Sequence, residues 1–87
     1  MEEEQRTLLT QKITNLTVDG WLRIDQWGKA TGKLDVLQSN FIWKVVRKIE
    51  REAVLSDKEL NRADAILDTL NNESPQIMKE LIGSTGG

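Results

Sequence analysis

The sequence predicts an all-α fold, a small compact bundle of about five helices with a long central third helix. Three observations predict it. Apolar residues recur at i, i+3 and i+4 rather than in strict alternation. Two capping boxes, Asp35 with Gln38 and Ser56 with Glu59, open two of the apolar runs. Gly32 and the Ser74-Pro75 pair stand where one helix ends and another begins.

The first helix is expected from about Glu3 to Leu16, with Leu8, Leu9, Ile13 and Leu16 on one face. Glu2, Glu3 and Glu4 lie at its start, where negative charge favours the helix dipole. Asp19-Gly20 is then expected to break the chain. A second, shorter helix from about Trp21 to Thr31 places Trp21, Ile24 and Trp27 in one sector, and Gly32 ends it in the left-handed conformation.

Asp35 caps the third helix, with Gln38 returning the hydrogen bond. Its apolar face is Phe41, Ile42, Val45, Val46, Ile49 and Ala53, and it is expected to reach about Val54. At 1.5 Å per residue that is roughly 30 Å, the span of the domain. The fourth helix starts at the Ser56–Glu59 box and runs to about Asn71, burying Leu60, Ala63, Ile66, Leu67 and Leu70. A fifth follows Ser74-Pro75 and carries Ile77, Met78, Leu81 and Ile82. Residues 1–82 thus form one helical domain, and the Gly-rich segment 83–87, with nothing to bury, is expected to be a disordered tail.

Composition narrows the function. A chain of 87 residues hides roughly 60–65% of its extended surface, so its stability is modest. It has no cysteine for a disulfide or thiolate metal cage, and no histidine, the commonest general base and transition-metal ligand. No glycine-rich phosphate loop is present, and Ser39, Ser56, Ser74 and Ser84 have no histidine to activate them and no well-placed lysine beside them. A non-enzymatic protein without cofactor or metal is therefore expected. The acidic start has no basic region followed by an apolar run, and no apolar stretch approaches the roughly 18–20 residues that cross a bilayer. The expected compartment is the cytoplasm, with no membrane partner.

The sharpest feature is on the third helix. Lys44, Arg47, Lys48 and Arg51 stand at i, i+3, i+4 and i+7, in one sector almost opposite the apolar face. Trp43 borders that sector, and Glu50 and Glu52 flank it. Adjacent cations suit phosphate oxygens or an acidic protein surface, and a bordering tryptophan suits a base or a partner's pocket. A solvated polar face is the plain alternative. The fourth helix bears Asp57, Asp64 and Asp68 in one sector; hard cations need more oxygens than that stripe offers, so a solvated acidic face is expected. Opposite flanks of this kind favour hetero-association or self-association. The fifth helix, with Ile77, Met78, Leu81 and Ile82, either closes the bundle or docks in a partner's groove.

One resemblance covers roughly half of the chain, from Trp27 to about Leu67. Trp27, Gly32-Lys33-Leu34, Gln38, Leu55-Ser56-Asp57-Lys58-Glu59 and Ala63 follow in an order that resembles helical segments toward the C-terminus of abortive-infection phage-resistance proteins and related prokaryotic defence NTPases. Those proteins carry the segment on a much larger enzyme. The resemblance implies a prokaryotic or phage setting and an accessory role, and transfers no functional residue.

Two functions are expected on these grounds. The first is a protein-interaction module, an adaptor, inhibitor or small subunit, whose partner meets Trp43, Lys44, Arg47, Lys48 and Arg51, or Ile77, Met78, Leu81 and Ile82. The second is a nucleic-acid-binding accessory that uses the cations of the third helix.

Overall fold

In the computed structural model, which describes residues 2–85 and side chains as far as Leu81, the chain forms five helices among the described residues. They are α1 (Glu3–Asn15), α2 (Thr17–Thr31), α3 (Val36–Glu50), α4 (Asp57–Glu73) and α5 (Pro75–Thr85). The bundle measures 34 × 31 × 23 Å. α2 packs along α3, α1 along α4, and α4 also meets α3 and α5. No helix among the described residues is long and apolar enough to cross a membrane.

Local chemistry explains most of the boundaries. Asp35 Oδ1 accepts from the Gln38 amide at 2.8 Å, and Gln38 Oε1 accepts from the Asp35 amide at 3.0 Å. Ser56 and Glu59 form the same reciprocal pair at the start of α4, at 3.2 and 2.9 Å. Each box satisfies two amides that a helix start leaves without partners. Gly32 ends α2 with φ 70°, the left-handed geometry that costs glycine nothing. α5 continues through Thr85, so Gly83, Ser84 and Thr85 of the expected tail have helical backbone, while Gly86 and Gly87 lie outside the described residues.

Two boundaries differ from the sequence expectation. Asp19-Gly20 does not break the chain; both residues are inside α2, and the turn falls at Leu16–Thr17, where Thr17 takes φ 62°. The reason is packing. Leu16 and Trp21 both enter the core, and Trp21 Nε1 donates to the Ile13 carbonyl at 2.9 Å, folding α2 back on the end of α1. Gly20 serves close approach instead of turning: a Cβ there would meet Leu16 Cβ at 3.2 Å and Leu81 Cδ2 at 3.7 Å.

α3 stops at Glu50, short of the expected Val54, and the longest helix is α4 with 17 residues against 15. Its end is a Schellman turn without glycine. Ala53 N–H donates to the Lys48 carbonyl at 2.8 Å and Glu52 N–H to that of Ile49 at 3.1 Å, with Glu52 at φ 56°. Ala53, expected on the buried face, is therefore exposed beyond the helix.

The core joins Ile13 and Leu16 of the first hairpin to Trp21, Ile24 and Trp27 of α2 and to Phe41, Ile42, Val45 and Val46 of α3. Leu60, Ala63, Ile66, Leu67 and Leu70 join it from α4, all buried as their spacing predicts. Leu9 packs partly against it, whereas Leu8 points to solvent. Polar groups also cross between helices. Trp27 Nε1 donates to Ser74 Oγ at 2.9 Å, and Asp25, buried on α2, accepts from Ser39 Oγ on α3 and pairs with Lys29 at 3.0 Å.

Gly28 is where α2 and the following loop come closest. A Cβ would fall 2.5 to 2.7 Å from three side-chain atoms of Leu34, including its Cβ. Alanine gains about 1 kcal/mol of helix propensity over glycine, while overpacking costs about 1–3 kcal/mol. The clash wins because Leu34 is itself buried and its Cβ cannot swing away. Gly28→Ala is expected to lower the urea midpoint of unfolding, with a net loss of stability of up to about 2 kcal/mol; a raised midpoint would refute the packing described.

Candidate docking face

At 100° per residue, α3 turns Trp43, Val36, Arg47, Asn40, Arg51, Lys44 and Leu37, in that angular order, into an arc of about 120°. All seven are exposed. The arc is mixed in character: Val36, Leu37 and Trp43 are apolar and 73%, 71% and 42% exposed, and the other members include three cations. No Asp or Glu lies within it, and Glu50 borders it beyond Trp43. At its other edge Arg62 of α4 stacks over the Phe41 ring, 4.8 Å from the centroid, adding a fourth positive group beside the face.

The four cations read from the sequence differ in what they contact within the fold. Lys48 Nζ donates to Glu59 Oε1 at 2.6 Å, and Lys44 Nζ lies 3.8 Å from Glu59 Oε2. Lys48 is thereby drawn off the arc toward the start of α4, where Glu59 also accepts from the Ser56 amide. The Lys48 hydrogen bond first, and those from Ser56 second, hold the Glu59 carboxyl down from 4.5 to about 2, against the opposing effect of burial. Arg47 and Arg51 make no ion pair among the described residues and face outward. Cations near a helix C-terminus also favour its dipole, a benefit Arg47 and Lys48 supply in the last turn.

The acidic stripe of α4 is likewise engaged within the fold. Asp57 pairs with Arg6 and Asp64 with Lys12, each at 2.8 Å, clasping α1 to α4. Asp68 remains exposed. The sequence separates these partners by about fifty residues, so no local pattern announces the clasp.

Among its described side chains the fifth helix is mostly turned into the bundle on its apolar side. Met78 and Leu81 are buried in the bundle and Ile77 packs half-buried against it, so the groove-docking reading of these residues gives way to core packing. The Ile82 side chain lies outside the described residues. Val36 and Leu37 were not among the residues singled out from sequence. Their signal was available: Val36, Asn40, Trp43 and Arg47 repeat at i, i+4, i+7 and i+11 on the side away from Val45.

The chain matches no protein-family model and no solved structure. It is similar to "Putative surface cell antigen sca2" of Rickettsia felis, with 29% identity over 83 residues. That stretch is 94% of this chain and 5% of the relative, so the chain spans one small part of the other protein's length.

Proposed function

We propose that the chain is a non-enzymatic protein-interaction module, an adaptor, inhibitor or small subunit, whose partner docks on the outward face of α3. The observation that carries this reading is the position of Trp43. The other two tryptophans are buried with their indole N–H groups hydrogen-bonded, whereas Trp43 stands 42% exposed on one arc with Val36 and Leu37. Leaving such side chains in water forgoes about 1.5–3 kcal/mol each, and tryptophan beside arginine is the composition of binding hot spots. A relative in which the similar stretch is 5% of the chain supports a module that works beside other segments.

The nucleic-acid reading draws less support from the geometry. Pairing with Glu59 takes Lys48, and in part Lys44, out of the phosphate-binding row, which leaves Arg47 and Arg51. The test is affinity capture from the source organism with and without nuclease, using wild type, Trp43→Ala and Arg47→Glu. Retention of a protein is expected to survive nuclease and to fall about 30-fold in either variant, the effect of a hot spot worth about 2 kcal/mol. Retention abolished by nuclease, or unchanged in both variants, would contradict the proposal.

A further inference from the structure

We infer that the occupant of the α3 face is an acidic amphipathic helix of a protein partner, its apolar side chains over Val36, Leu37 and Trp43 and its carboxylates against Arg47 and Arg51. The inference deepens the docking proposal and rests on it. Charge selects the class of partner. Arg47 and Arg51 lie on an arc without a carboxylate and form no ion pair among the described residues. Covering them with a neutral or basic surface would strip water from unpaired charge, whereas a carboxylate takes the planar guanidinium fork in two parallel hydrogen bonds.

The distribution of groups then sets shape and polarity. Val36 and Leu37 occupy the first turn of α3, Arg47 the last turn and Arg51 the cap, with Trp43 between them. The exposed row at i, i+4, i+7 and i+11, from Val36 to Arg47, is a ridge about 16 Å long, the form that fits a groove of a second helix. The partner therefore carries apolar anchors on one half and Asp or Glu on the other. At the apolar end a 280 Å³ depression lined by Lys29, Leu34, Asp35, Val36, Ser39 and Asn40 opens to receive one anchor.

Other occupants satisfy less of the surface. A second copy would present the acidic stripe of α4, but Asp57 and Asp64 are already held by Arg6 and Lys12 of their own chain. A polynucleotide would use the arginines while setting Val36 and Leu37 against phosphate.

Site-directed photocrosslinking tests the inference. Asn40→p-benzoylphenylalanine places the probe in mid-arc on an exposed residue, Asn72→p-benzoylphenylalanine on α4 is the control, and Val36→p-benzoylphenylalanine is a second probe should the first impair folding. The full chain is irradiated in cells of its source organism and the adducts are sequenced by mass spectrometry. Arc adducts are expected at least fivefold above the control, on a segment with apolar residues and Asp or Glu at helical spacing. Adding Arg47→Glu and Arg51→Glu should reduce them at least tenfold. Adducts on a basic or uncharged protein segment, or adducts indifferent to the arginine reversal, would overturn the acidic-helix inference and leave the docking proposal standing. Adducts on a second copy would overturn the inference in favour of self-association. Adducts on nucleic acid, or none above the control, would overturn both.

Discussion

Trp21→Ala is expected to remove much of the stability of the fold, about 3–5 kcal/mol at 25 °C. Trp21 is fully buried, and its side chain ties the start of α2 to the end of α1. Truncating a buried tryptophan costs about 3–5 kcal/mol through lost transfer energy and the cavity left behind. The Ile13 carbonyl would also lose its indole donor at the turn where Thr17 already takes a left-handed φ of 62°. At about 0.05–0.15 kcal/mol per residue, a chain this short has about 4–13 kcal/mol in total, with the lower part of that range expected for a small core. Far-UV circular dichroism with urea titration is the check. A midpoint shift equivalent to less than about 1.5 kcal/mol would mean that Trp21 does not anchor the α1–α2 turn.

The second large effect centres on Glu59, which joins two helices in one carboxylate. It closes the capping box of α4 through Ser56 and receives Lys48 from α3. Because its carboxyl is lowered from 4.5 to about 2 on folding, its contribution is fully present above about pH 4.5. It is lost progressively as pH falls from there toward 2, where the folded form takes up the proton. A capping interaction and a charge-assisted hydrogen bond together are worth about 2–3 kcal/mol. Glu59→Gln keeps an acceptor for the Ser56 amide but removes the charge. It should therefore be less stable than wild type at neutral pH, by about 1–2 kcal/mol. The gap between the two should narrow as pH is lowered from 5 to 2. Parallel urea titrations at pH 7 and pH 3 give the comparison, and an unchanged gap would contradict the Lys48–Glu59 assignment.

What could be read from the sequence was whatever depends on near neighbours. The Asp35–Gln38 and Ser56–Glu59 boxes, the left-handed Gly32 and the buried stripe of α4 all follow from residues within one or two turns, and the structure has each of them. The misplaced boundaries have a common cause. Thr17 and Glu52 take left-handed φ angles that side chains ordinarily avoid, so nothing in their identity marks the turn or the end of α3. Asp19-Gly20 carried the expected signal for a turn, but there the glycine serves helix contact.

The candidate docking face was partly legible for a related reason. Spacing alone put Lys44, Arg47, Lys48 and Arg51 on one side of α3, but it could not show that Glu59 would draw Lys48 away. Nor could it show that Arg6 and Lys12 would neutralise the acids of α4. Those pairings belong to the packing of distant segments. Val36 and Leu37 escaped notice because apolar residues at a helix start are ordinarily credited to the core. Their exposure follows from their place on α3, on the side away from Val45.

Docking on α3 requires one side of the helix to hold the bundle and the other to be spare. The most direct measurement is urea unfolding of a Leu37→Ser/Trp43→Ser/Arg47→Glu variant, paired with partner retention from the same preparation. Stability within about 1 kcal/mol of wild type is predicted, as for surface positions, together with loss of the retained protein. Destabilisation on the scale of a core truncation, or undiminished retention by a folded variant, would contradict it.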